Sequence, residues 1–124
     1  MNSPWVNYVL RFHQKFGHPI GEKGRVPSQL EKCMRTAILA EEVCEYFDAL
    51  AKDDRAEILD ALADIIFVAI GTAITYGFDI DEAMRRVYAS NMSKLGPDGL
   101  PIYREDGKVV KGENYFPPKF DDLI

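Results

Sequence analysis

At 124 residues, 47% hydrophobic and 28% charged, the chain has the length and balance of one folded domain spanning 1–124, without room for a second core. A formal net charge of −5 excludes broad nucleic-acid binding, because no basic stripe remains to neutralise a run of phosphates. The N-terminus has no basic segment followed by an apolar run, and the longest apolar stretch, Ile65–Ile74, is too short to span a bilayer. Neither signal peptide nor membrane contact is expected, and the chain reads as cytoplasmic.

Ser3-Pro4 predicts a helix start, with Ser as cap and Pro in the first turn. Trp5, Val9, Phe12 and Phe16 follow at helical spacing. Gly17 to Pro27, broken by Pro19, Gly21, Gly24 and Pro27 itself, reads as a loop. Ser28-Gln-Leu-Glu31 has the capping-box pattern and opens a second helix running to about Ala51. Asp54-Arg-Ala-Glu57 repeats that pattern with Asp as cap. The third helix it opens should continue to Tyr76 and end at Gly77 in the left-handed conformation. A fourth, shorter helix is predicted over Asp81–Met92.

Past Leu95 the character changes. Gly96-Pro97-Asp98-Gly99 is a turn cluster, and Tyr103–Val110 predicts a small hairpin around Asp106-Gly107. The expected architecture is all-α: a four-helix bundle, with residues 95–124 forming an extended arm or small hairpin that packs on the helices or on a neighbouring subunit. Cys33 and Cys44 both fall on the second helix. Eleven residues at 1.5 Å rise separate them by roughly 16 Å, too far for a disulfide, which points to a reducing compartment.

The third helix holds the main anomaly. From Ala61 to Ala73 nearly every residue is apolar or small, which predicts burial on all sides, yet Asp64 stands among them. A buried, unpaired carboxylate costs several kcal/mol, so a compensating partner is required. Glu57, Asp60 and Asp64 share one face of this helix within about 60°. The second helix carries Glu41, Glu42 and Glu45, again inside the helix and not at a frayed end. Folding the two helices into an antiparallel hairpin about Asp53 sets Glu42 level with Asp64, and Glu45 level with Ala61 beside Asp60. The expected patch is therefore Glu41, Glu42, Glu45, Asp60 and Asp64, with Glu57 one turn away.

Two like charges about 5 Å apart repel by roughly 3 kcal/mol at an effective dielectric of about 20, so either some acids protonate or a cation neutralises them. An all-carboxylate set suits Mg²⁺, with Mn²⁺ also able to serve, better than zinc. A diiron centre would need Glu-x-x-His pairs, and His13 and His18 lie outside both acidic helices.

Glu41-Glu42-Val43-Cys44-Glu45, followed by an acidic helix ending in Ala63-Asp64, resembles the MazG-like family of all-α nucleotide pyrophosphohydrolases, which includes phosphoribosyl-ATP pyrophosphohydrolase and dimeric dUTPases. The Glu-Glu-x-x-Glu element matches fully. The second element, usually Glu-x-x-Asp, departs: Ala61 stands three before Asp64, and Asp60 one residue earlier keeps the same face. Glu57-x-x-Asp60 is the alternative pairing, disfavoured by the hairpin registry. Tyr76-Gly77, Ser90–Leu95 and Ile102–Lys108 extend the resemblance to roughly Phe12–Pro118.

The resemblance implies hydrolysis between the α and β phosphates of a nucleoside triphosphate, divalent ions held by the acids, and substrate contacts from Asn91 and Lys94. Ser93 adds a hydroxyl beside them, and Tyr103, Arg104, Lys108 and Lys111 on the arm are further candidates. Lys15, Lys23 and Arg25 near the first loop are similar, and Trp5 could stack on a base, although a surface or core role is the commoner one for such residues. Glu42, Glu45, Asp60 and Asp64 would hold the metal, while Glu41 would orient or deprotonate the attacking water. No Ser-His or Cys-His pair suggests covalent catalysis. The competing expectations are a narrower enzyme for phosphoribosyl-ATP or one deoxynucleotide such as dUTP or dGTP, and a non-catalytic helical module. Apolar surface beyond what a small bundle can cover, together with the resemblance, predicts a homodimer or homotetramer.

Overall fold

The computed structural model describes residues 3–124. It contains four helices, α1 (Pro4–Phe16), α2 (Gln29–Ala51), α3 (Arg55–Tyr76) and α4 (Ile80–Met92). Two two-residue strands follow, β1 (Ile102–Tyr103) and β2 (Val109–Val110), and then a 3-10 turn at Asp121–Leu123. The chain divides into two compact units: residues to Asp79 together with Ile124, and Ile80–Leu123.

In the first unit the helix ends are set by local chemistry. The Ser3 hydroxyl accepts from the Val6 amide, and Gly17, at φ 69°, ends α1. Ser28 and Glu31 complete the reciprocal capping box of α2. Asp54 caps α3 through the Glu57 amide, whereas the Glu57 carboxylate turns to Lys52, 3.7 Å away. Gly77, at φ 77°, ends α3, and a side chain there would strike the Glu22 backbone. The loop before α2 therefore crosses the end of α3 closely. It is tied there by the Gly21 amide to the Ile74 carbonyl (2.8 Å) and by the Arg25 guanidinium to the Thr75 carbonyl (2.8 Å) and Glu31 (2.7 Å).

Helix α3 packs against both α1 and α2. The buried apolar residues of the unit are Val6 and Val9 from α1, Ala49 from α2, and Ala61, Ala73 and Ile74 from α3, small side chains apart from Ile74. Ala49 of α2 and Ala61 of α3 are both buried, and their small side chains leave room for the two helices to approach closely. Burial of α3 on all sides, expected from its composition, is not met within one chain. Leu59 and Ile66 are 69% and 58% exposed, because α1 and α2 cover only part of the circumference.

Helix α3 also exceeds the apolar run Ile65–Ile74 read from the sequence. Its 22 residues and mean hydropathy of 2.0 are enough to cross a bilayer by length and composition. Asp60 and Asp64 lie within it, it packs along α1 and α2, and 33% of its most apolar stretch is buried within the chain.

In the second unit β1 and β2 pair antiparallel, Ile102 with Val110 and Tyr103 with Val109, around a turn in which Gly107 has φ 85°. The segment after the hairpin returns to α4. Ser90 Oγ donates to the Phe116 carbonyl (2.8 Å), and the Phe116 amide donates to Ser93 Oγ (3.1 Å). Arg86 grips Asp122 with both terminal nitrogens (2.6 and 2.9 Å). The expected arm thus packs on a helix of its own chain.

Candidate metal-binding acidic site

The turn between α2 and α3 is only a few residues long, with the Asp54 amide donating to the Ala49 carbonyl and Asp53 in the left-handed region at φ 51°. Such a connection forces antiparallel neighbours with a defined registry. Eleven residues on either side of Asp53 stand Glu42 and Asp64. Oxygen atoms of Glu42, Glu45 and Asp64 all lie within 4.8 Å of one another.

Glu42 and Asp64 are half-buried and Glu45 is exposed, so the group opens to solvent on one side. Burial, the Asp64 charge and then the Glu45 carboxylate push the Glu42 carboxyl up to about 7. One oxygen of Glu42 is fully buried and has no hydrogen-bond partner. An orphaned buried carboxylate oxygen is expensive unless something else satisfies it. A divalent cation fits: three carboxylates present hard oxygen donors, at a spacing one ion can bridge, and the orphan oxygen gains a partner.

The other sequence-predicted acids stand at the margin. Glu41 is exposed and outside the converging trio. Asp60 is also outside it and lines an adjoining polar cavity of about 280 Å³ with Glu45, Asp48, Lys52, Glu57 and Ala61. Asp48 and Lys52 were missed from the sequence, although both follow Glu45 at helical spacing, three and seven residues on. Arg35 and His13 were missed too. Arg35 stands seven residues before Glu42, hence on the same stripe of α2, and a lone cation in that stripe was the available signal.

The remaining candidates belong to the second unit. Asn91 is exposed at the end of α4, with Lys94 half-buried just beyond it. The Ser93 hydroxyl is committed to the chain itself, donating to the Ser90 carbonyl (2.6 Å) and accepting from Phe116. Tyr103 and Lys108 are exposed on the hairpin. Arg104 pairs with Asp106 (2.9 Å), and the Lys111 ammonium lies 4.6 Å from the centre of the Tyr115 ring. Of the first-loop cations, Lys15 and Lys23 are exposed, Arg25 ties the loop to α3, and Trp5 lines an apolar groove with Tyr8, Ile66 and Phe67.

Comparison with known proteins bears on this arrangement. An uncharacterized protein of Acanthamoeba polyphaga mimivirus is 27% identical over 126 residues, covering 95% of this chain and 46% of the viral protein. The chain thus spans about half the length of that curated relative. The crystal structure of a candidate NTP pyrophosphohydrolase from Exiguobacterium sp. 255-15 is 25% identical, with a TM-score of 0.46, over 95% of this chain and 90% of that one. The sequence profile of phosphoribosyl-ATP pyrophosphohydrolase matches residues 9–91, which takes in α2, α3 and every acid of the site. By that match, over more than half its length, the chain belongs to the phosphoribosyl-ATP pyrophosphohydrolase family.

Proposed function

We propose that the chain is a divalent-metal-dependent nucleotide pyrophosphohydrolase, converting a nucleoside triphosphate and water to the monophosphate and pyrophosphate. The observation that carries this reading is the convergence of Glu42, Glu45 and Asp64 about a buried, unpartnered Glu42 oxygen, on two helices inside the family match.

Glu42, Glu45 and Asp64 would hold Mg²⁺ or Mn²⁺, with Asp60 beside them in the adjoining cavity. A bound ion would supply charge withdrawal from the phosphate oxygens and a more acidic attacking water. The chain's own contribution is placement. Helices α2 and α3 fix the acids at one height, and the exposed Glu41 carboxylate is free to accept a proton from water as general base. Asn91, Lys94, Tyr103 and Lys108 are the proposed substrate contacts. Ser93, Arg104 and Lys111 serve only if their present hydrogen bonds, ion pair or ring contact yield to the ligand.

The family's description supports a second substrate, phosphoribosyl-ATP, which carries the same scissile linkage between α and β phosphates. A panel of nucleoside triphosphates and phosphoribosyl-ATP, assayed with Mg²⁺ for pyrophosphate against orthophosphate, separates the two. Pyrophosphate release that chelation abolishes, and that Glu42→Gln and Asp64→Asn each remove, is the expected result. Full activity in both variants refutes the site.

We also propose a homo-oligomer, dimer or tetramer, in the cytoplasm. Trp5 and Phe16 of α1, Leu30 and Phe47 of α2 and Leu59 and Ile66 of α3 are all exposed in the single chain. Exposed apolar area of this extent is typical of a subunit surface. Light scattering in solution decides it.

A further inference from the structure

We propose that Arg35 is a positioning residue for the acidic site, its guanidinium cross-linking α2 to α3 two turns beyond Glu42 and so holding the registry that sets Glu42 opposite Asp64. The inference rests on the reading of that site as a metal centre.

Arg35 Nη2 donates to the Val68 carbonyl (2.7 Å) and Nε to Thr72 Oγ1 (3.0 Å), so one planar group spans a full turn of α3. Gly71 lies between these acceptors. A side chain there would meet Arg35 Nη2 at 2.5 Å and His13 Nε2 at 2.9 Å, so the backbone of α3 is bare where the guanidinium reaches across. His13, buried, donates from Nδ1 to the Pro19 carbonyl and closes the other side. Together these residues tie α1, α2 and α3 at the end of the hairpin remote from the turn.

The acids lie between two fixed points. The short turn, closed by the Asp54 amide on the Ala49 carbonyl, lies on one side, and the Arg35 cross-link stands seven residues, about 10 Å, past Glu42 on the other. The turn alone leaves the far end of the pair free to splay or rotate. A slip of one turn displaces Asp64 by about 5.4 Å, more than the 4.8 Å within which the three carboxylates now converge.

Stability does not explain the choice of arginine. Its bonding partners among the described residues are neutral, and burial lowers its pKa, so the site bears a desolvated charge without an anion beside it. A well-packed apolar residue at such a position is commonly neutral or stabilising. What the apolar residue cannot do is select one registry by two directed hydrogen bonds.

The test uses the full chain, with Mn²⁺ as probe, followed by electron paramagnetic resonance and by thermal melting without metal. Arg35→Met should weaken Mn²⁺ binding about tenfold or more, as loss of an outer support of metal ligands does elsewhere, while the metal-free melting temperature holds or rises. Arg35→Lys keeps the charge but not the planar fork, and should lose binding similarly. Thr72→Val removes one acceptor with little change of shape and should weaken binding a fewfold, which decides the matter if Arg35→Met does not fold. Unchanged Mn²⁺ affinity in folded Arg35→Met, or in Thr72→Val, overturns the inference and leaves the metal site standing. No Mn²⁺ binding by the unaltered chain removes both.

Discussion

Replacing Glu42 with Gln should have opposite effects with and without metal. At 4.8 Å, the widest separation within the trio, and an effective dielectric of about 20, two ionised members repel by about 3.5 kcal/mol, which solvent screening at this partly exposed site reduces to about 1–2 kcal/mol. In chelated protein burial of Glu42, with that repulsion added to it, pushes the carboxyl up from 4.5 to about 7. Between those values the unfolded chain has released the proton and the folded chain retains it. The Glu42 contribution therefore weakens stability progressively as pH rises from 4.5 to about 7, with the full cost present above 7. Gln cannot ionise, so Glu42→Gln should melt higher than the unaltered chain at pH 8 in chelator, by a few degrees for a chain of this size. The difference should vanish near pH 4.5. With Mn²⁺ at about a hundred times its dissociation constant, the unaltered chain gains about 2.7 kcal/mol and the variant gains little. Scanning calorimetry at both pH values, with and without Mn²⁺, measures all four quantities. A variant less stable than the unaltered chain in chelator at pH 8, yet equally stabilised by Mn²⁺, refutes the reasoning.

Gly71→Ala forces a methyl against Arg35 and His13 and should cost about 1–3 kcal/mol by denaturant melting; a neutral outcome means the three helices part there freely. Burial lowers the pKa of His13 below 6.5 and so disfavours its protonation in the folded chain; its contribution is full above pH 6.5 and lost as pH falls through the folded value. His13→Gln should flatten that acid-side loss in a pH series of melts, and an unchanged slope assigns it elsewhere. Arg86→Ala releases Asp122 and the Lys119 carbonyl, and should make the segment after the hairpin a faster target for limited proteolysis. An unchanged digestion rate shows that Ser90 and Ser93 suffice to hold it.

Helix ends were legible because capping acts over three or four residues. Ser28 with Glu31, Asp54 with the Glu57 amide, and Gly77 in the left-handed region all act where the chain order places them. The level of Glu42 with Asp64 was legible for a related reason, since a short turn and a constant rise leave one antiparallel registry. Which acids converge was not. Asp60 shares a face with Asp64 by spacing, yet it lines the neighbouring cavity, because rotation of each helix about its axis follows from tertiary packing that spacing along one helix does not fix.

The sequence alone determined the four helices, their caps and the two acidic segments, all of them consequences of local hydrogen bonding and hydrophobic period. Tertiary structure alone decided that Glu42 keeps a buried oxygen without a partner, that Arg35 reaches Val68 and Thr72 across the bare backbone at Gly71, and that α3 leaves an apolar face uncovered. Each depends on what residues distant in the chain place beside a side chain, which periodicity along one helix does not encode.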